Sequence, residues 1–173
     1  MAPYSLHGGR IPIRVVTHKA LEYTFARARQ RLSTANVDRL MARWEALEPL
    51  PEADATLAEL NSRGYSLGLL WNGGEDMLRA ALSKFEVKFD YVFASDHVGF
   101  YKPHPAIYAL PKQKLGFGTE DMLHVAGSGN DVLGAKLSGL HCAWSNRGGD
   151  RMIDPDVKPD YDLGDLAGLL EIL

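Results

Sequence analysis

The sequence predicts an α/β protein, a doubly wound parallel sheet preceded by a small helical subdomain. Three observations carry that reading. From Tyr65 onward, short apolar runs alternate with helix-patterned segments. Each of those runs is closed on its carboxyl side by a polar cluster, where open α/β sheets keep their binding sites. The first 48 residues, by contrast, hold helical periodicity with no strand-like apolar run.

Taken in order, the chain opens with a Gly/Pro-containing lead. Thr17 is then placed to cap a helix carrying Leu21, Phe25 and Ala28 on one face. Ser33 or Thr34 can cap a second helix with Val37, Leu40, Met41 and Trp44, and the tight turn between the two makes a helical hairpin. Pro49 and Pro51 mark a boundary, so residues 1–48 read as one subdomain and 49–173 as the α/β core. Pro51 suits the first position of a third helix ending at Gly64. Strand signals follow at Tyr65 to Trp71 (YSLGLLW), then YVFAS, MLHVAG and HCAWSN, with helical segments between them, one over about Glu75 to Phe85.

With 173 residues, 46% of them hydrophobic, the chain can bury one ordinary core. No apolar run approaches the roughly 20 residues that span a bilayer, and the N-terminus lacks the apolar segment of a secretory signal. A cytoplasmic location without membrane association is therefore expected. The single cysteine, Cys142, has no disulfide or CxxC partner and reads as a small buried hydrophobe. Residues 1–50 hold 8 Lys/Arg against 4 Asp/Glu, and the remainder 11 against 18, so the ends differ in charge although the whole is only −3. Arg27 and Arg31, like Arg39 and Arg43, share helix faces that can steer an anion or simply be solvated. No aromatic platform or nucleic-acid motif accompanies them, which argues against nucleic acid as a partner.

The polar clusters are Asn72 with Gly73 and Gly74, Ser95 with Asp96, the turn 127–131, and Ser145 to Arg147. Each alone is compatible with ordinary turn chemistry. Gly127, Ser128 and Gly129 between a strand and a helix favour an anion, but the third glycine of a dinucleotide fingerprint is replaced by Val132. Neither a G-x-S-x-G elbow nor a helical H-E-x-x-H pair occurs. Asp131 can cap the helix it begins or act in a site. Lys102, followed by Pro103 and Pro105, has an extended backbone that aims its ammonium group, unless it is a solvated loop lysine. Tyr108, one helical turn on, either orients the same ligand or packs.

The succession of NGG after a strand, FASDHVGFYKPHPAIY, and HVAGSGNDVLGAKLSGLHCAWSNR resembles the haloacid dehalogenase-like superfamily, specifically its type II 2-haloacid dehalogenase branch. The likeness covers about Val16 to Leu173 and implies a Rossmann-like core with the remnant of a helical cap. It implies a hydrolase acting on carbon–halide bonds, of the (S)-2-haloacid dehalogenase type, that converts 2-haloacids to 2-hydroxyacids. In that chemistry an aspartate near the N-terminus attacks C2 and forms an ester that water hydrolyses. By resemblance, Lys102 stabilises the nucleophile and the substrate charge, and Asp131 places or activates water. Asn72 and Tyr108 line the substrate, as do Ser128 and Asn130, where the dehalogenases usually carry Asn and often Trp. Trp71 stands where Ser or Thr usually binds the anionic group, so its indole alters the pocket or packs into the core. The implied partner is a small anionic substrate, with a homodimer as a further implication. Phosphatases of the superfamily hold Mg²⁺ partly through the first aspartate of GDxxxD, and that position here is Gly127, so neither metal nor cofactor is expected.

The resemblance also implies a central strand, ending in the nucleophilic aspartate, between the YSLGLLW and MLHVAG strands. Nothing before Tyr65 fits it. IPIRVV contains Pro12 and Arg14 and no aspartate. The expectation is an N-terminally truncated dehalogenase. The alternatives are a phosphatase-type hydrolase of the superfamily and a non-catalytic binding protein that keeps the fold.

Overall fold

The computed structural model describes residues 11–173; the Gly/Pro lead falls mostly outside them. Helix α1 (Ile13–Arg27) begins directly after Pro12, so Thr17 lies inside it and caps nothing. The earlier start follows from burial, because Ile13 and Val16 are sealed against Met77 and lose that contact if the first turn unwinds. IPIRVV is thus the entry to a helix. Arg29, at φ 54, turns the chain toward α2 (Thr34–Glu45). Ser33 caps α2, its Oγ accepting the Asn36 N–H at 3.2 Å. Helix α3 (Ala53–Ser62) starts after Pro51, which sits instead in a turn closed by the Ala53 N–H on the Leu50 carbonyl at 2.9 Å. Gly64, at φ 92, ends the segment in a conformation that favours glycine.

Strands β1 (Gly68–Trp71) and β2 (Tyr91–Ala94) pair in parallel across α4 (Glu75–Leu82), with Gly68 opposite Tyr91 and Trp71 opposite Ala94. Helix α5 (Pro105–Leu115) follows, with Pro105 at its start and Gly116, at φ 75, at its end. Strand β3 (Leu123–Ala126), helix α6 (Gly129–Leu137), β4 (His141–Ser145) and β5 (Tyr161–Leu163) build a second parallel sheet in the order β3-β4-β5. Among the described strands, β5 has no counterpart in the sequence reading. Its three residues include Asp162 and are largely exposed, so they leave no apolar run to find. Helix α7 (Leu169–Ile172) closes the chain.

Helices cover both faces of the β3-β4-β5 sheet, as a doubly wound fold requires. Period-two alternation along β4 sends Cys142 and Trp144 to one face, with Ile107, Tyr108, Ala126, Val132 and Ala135 from α5, β3 and α6. Ala143 faces the other way, toward Leu60 of α3 and Leu169 of α7. Leu70 of β1 packs against the first cluster, so the two sheets share one core.

The strands nevertheless form two separate sheets, and among the described residues β1 pairs only with β2 and β3 only with β4. The YSLGLLW and MLHVAG strands, between which the resemblance calls for a further strand, thus lie in different sheets. No described helix is long and apolar enough to cross a membrane.

Candidate active site

Strand β1 ends at Trp71, and the next residue, Asn72, turns its side chain to the loop before α5, where Oδ1 accepts the backbone N–H of Lys102 at 2.8 Å. The Lys102 ammonium reaches in the other direction and donates to Asp131 Oδ2 at 3.1 Å. One lysine therefore connects the carboxyl end of β1 with the turn after β3. Both partners of the ion pair are largely withdrawn from water, at 15% and 16% side-chain exposure, so solvent screens the pair weakly.

Asp131 lies in the first turn of α6, and Ser128, not Asp131, caps that helix, its Oγ accepting the Asp131 N–H at 3.4 Å. The freed Asp131 carboxylate is held on its other oxygen as well. Tyr108 O–H donates to Oδ1 at 2.8 Å, and His124 Nε2 lies 3.0 Å from the same oxygen. Burial alone pushes this carboxyl upward, but the hydrogen bond and charge of His124, the Lys102 ammonium and the Tyr108 hydroxyl outweigh it and hold Asp131 at about 2. Burial and the adjacent carboxylate push the Tyr108 hydroxyl strongly upward, so it remains a neutral donor. Cys142, beneath the site on β4, is a buried thiol pushed up to about 12, chiefly by burial.

Of the residues singled out in the sequence, Lys102, Asp131, Tyr108 and Asn72 thus converge. Tyr108 is 1% exposed, and its hydroxyl is directed at Asp131. Ser128 and Asn130 lie exposed on the turn and at the start of α6. Trp71 packs with Ile13, Val16, Met77 and Tyr101, its indole lying over Gly73 so closely that any Cβ there would overlap Nε1. Among the described residues that buried Nε1 has no hydrogen-bond partner, an uncommon state for a donor. Ser95 is buried and donates to the Gly73 carbonyl at 3.1 Å, tying the ends of β1 and β2 together. The Ser145 to Arg147 cluster serves loop closure, with Asn146 bonded twice to the Asp150 backbone and Arg147 paired with Glu52.

His124 is the residue the sequence reading missed. The strand's periodicity marks its face but not its partners. Along β3 a histidine two residues before buried Ala126 shares its inward face, directly under α5 and α6.

The residues do not fit a Mg²⁺ site. Gly127 brings no side-chain carboxylate although nothing would obstruct a side chain there, and both Asp131 oxygens are committed, one of them to an ammonium cation. Among the described residues, no group of three or more His, Cys, Asp or Glu converges to hold a metal.

Comparison with known proteins agrees with the fold. The chain is 28% identical over 170 residues to (S)-2-haloacid dehalogenase of Pseudomonas sp. (strain YL), covering 97% of this chain and 73% of that protein. It is 34% identical over 131 residues to (S)-2-haloacid dehalogenase 4A of Burkholderia cepacia, covering 75% of this chain and 54% of that one. Phosphoserine phosphatase of Thermus thermophilus is 38% identical over 119 residues, covering 67% of this chain and 47% of that protein. Thus the chain spans roughly half to three quarters of these relatives. The solved L-2-haloacid dehalogenase RSc1362 superposes with a TM-score of 0.87 at 33% identity, over 98% of this chain and 75% of that one. The family model for haloacid dehalogenase-like hydrolases matches residues 11–139, and the chain belongs to that family.

Proposed function

We propose that this chain carries the Lys102–Asp131 portion of a 2-haloacid dehalogenase. In this reading residues 1–48 are part of a helical cap and 49–173 the core. A carboxylate oxygen attacks C2 of the haloacid, the C–halogen bond breaks and halide leaves with the bonding pair. Water then cleaves the resulting ester, which restores the carboxylate and yields the 2-hydroxyacid and a proton. Lys102 is the cation that offsets the charge of nucleophile and substrate, and Asn72 fixes the backbone from which it projects. The observation that carries the reading is the convergence of Lys102, Asp131, Tyr108 and Asn72 at strand ends on both sides of the sheet break, beside a side-chain-free Gly127.

The attacking carboxylate belongs to a parallel strand in that break. One intervening strand sets its neighbours about 10 Å apart, twice the usual spacing of about 4.8 Å. A lysine tethered at its backbone to one flank and at its ammonium to the other suits such a span. Trp71 Nε1, buried and without a partner among the described residues, supports an anionic ligand at the same sheet edge, because an acceptor there would relieve that donor.

The test is halide release from 2-chloropropionate, measured on this chain and on a form extended at its N-terminus by a strand ending in aspartate. Release by the extended form alone is the expected outcome. The dehalogenase reading fails if the extended form releases no halide but hydrolyses phosphate esters once Mg²⁺ is added. A cooperatively folded protein inert in both assays would instead be a binding module.

A further inference from the structure

We infer that His124 is the positioning residue of the Lys102–Asp131 pair, its Nε2–H holding Asp131 Oδ1 so that Oδ2 is presented to the ammonium group. The inference rests on the reading of that pair as reactive, and it assigns a role to a residue that reading leaves without one.

The argument begins with the freedom of an aspartate. Its terminal torsion is broad, so a carboxylate held at one oxygen by one donor can rotate and exchange its oxygens. Here two donors meet on the same oxygen from different elements, Tyr108 O–H from α5 at 2.8 Å and His124 Nε2 from β3 at 3.0 Å. Their directions fix the carboxylate plane and leave Oδ2 for Lys102 at 3.1 Å. An ionised carboxylate only accepts, so Nε2 must carry the proton. The imidazole has little room to turn away. Its side chain is 10% exposed, and the Tyr108 ring stands edge-on to it, with centroids 5.4 Å apart and planes at 81°. Tyr108 and Cys142 also face the Asp131 carboxylate, and both are displaced upward by burial and therefore neutral.

A histidine that merely filled the core would pack as well but would not govern its neighbour's protonation. Ring ¹H–¹⁵N spectra of the intact chain, with the Asp131 carboxyl carbon followed by ¹³C shift against pH, separate the two roles. The expected result is a ring protonated on Nε2 at neutral pH. His124→Gln, which offers an amide N–H at similar reach but no charge, should raise the Asp131 midpoint by less than His124→Leu, which removes both and should raise it by about one unit or more. A ring protonated only on Nδ1, or an Asp131 midpoint unmoved in His124→Leu, would overturn the inference. Should the leucine variant fail to fold, the parent ring spectrum decides it. None of these signals depends on turnover, so a chain that releases no halide in any form refutes the dehalogenase reading while leaving this test intact.

Discussion

Replacing Asp131 by Asn keeps the side chain's size and removes its charge, and the structure fixes how the cost should vary with pH. Asp131 is held at about 2, below an ordinary value of 3.8, because His124, Lys102 and Tyr108 outweigh the upward push of burial. At about 1.4 kcal/mol per pH unit, that displacement is worth on the order of 2 kcal/mol of stability at neutral pH. The carboxyl binds its proton more weakly folded than unfolded, so the contribution is complete well above the unfolded value and disappears as pH falls toward the folded one. Roughly half should already be gone by pH 3. Urea unfolding of parent and Asp131→Asn, followed by circular dichroism from pH 7 to pH 3, reads the difference directly. The variant should be less stable by about 2 kcal/mol at pH 7, and the gap should narrow by about 1 kcal/mol by pH 3. A gap that stays constant across that range, with unchanged urea slopes, would refute the assignment of Asp131 as the depressed carboxylate of this cluster.

Two further substitutions probe the packing that holds the cluster. A Cβ at Gly134 on α6 would overlap the Tyr108 hydroxyl, so Gly134→Ala should lose about 1–3 kcal/mol to overpacking, more than the helix gains from alanine; a raised urea midpoint would contradict it. Ser95→Ala leaves the Gly73 carbonyl without its buried donor and should cost about 1 kcal/mol in the thermal or urea midpoint, with a neutral result refuting the tie between β1 and β2.

The core elements were legible because their patterns are local. Short apolar runs closed by Gly, Asn or Ser announce β1 to β4, and Pro105 and Gly116 bracket α5 at the positions their backbone preferences favour. What escaped depended on distant partners. Thr17 is a fair cap by composition, yet the helix starts earlier because Ile13 and Val16 find Met77, more than sixty residues away. Asp131 and Ser128 both suit a helix start, and only the tertiary donors around Asp131 decide that serine caps while the carboxylate is left for Lys102. His124 was hidden for the same reason, since a lone histidine in an apolar strand gains meaning only when Tyr108 and Asp131 are set above it.

The same three donors bear on what Asp131 can do in the proposed hydrolysis. A general base works best with a protonation midpoint near the working pH, where it is both available and eager for the proton. Held at about 2, Asp131 is available as an anion at neutral pH but a weak acceptor, with Oδ1 already serving Tyr108 and His124 and Oδ2 serving Lys102. Of the two roles the resemblance offered, placing water and activating it, the geometry favours neither as a first task. Asp131 is better suited to aim Lys102, whose ammonium then faces the charge that builds on nucleophile, substrate and departing halide. In the proposed reaction the proton released at the ester-hydrolysis step must accordingly pass to a group other than this carboxylate. A turnover rate in the extended form that stays flat from about pH 5 downward toward the Asp131 midpoint, and falls only near it, would agree with an orienting anion. A rate that follows a midpoint near neutrality and loses it in Asp131→Asn would restore Asp131 as the base.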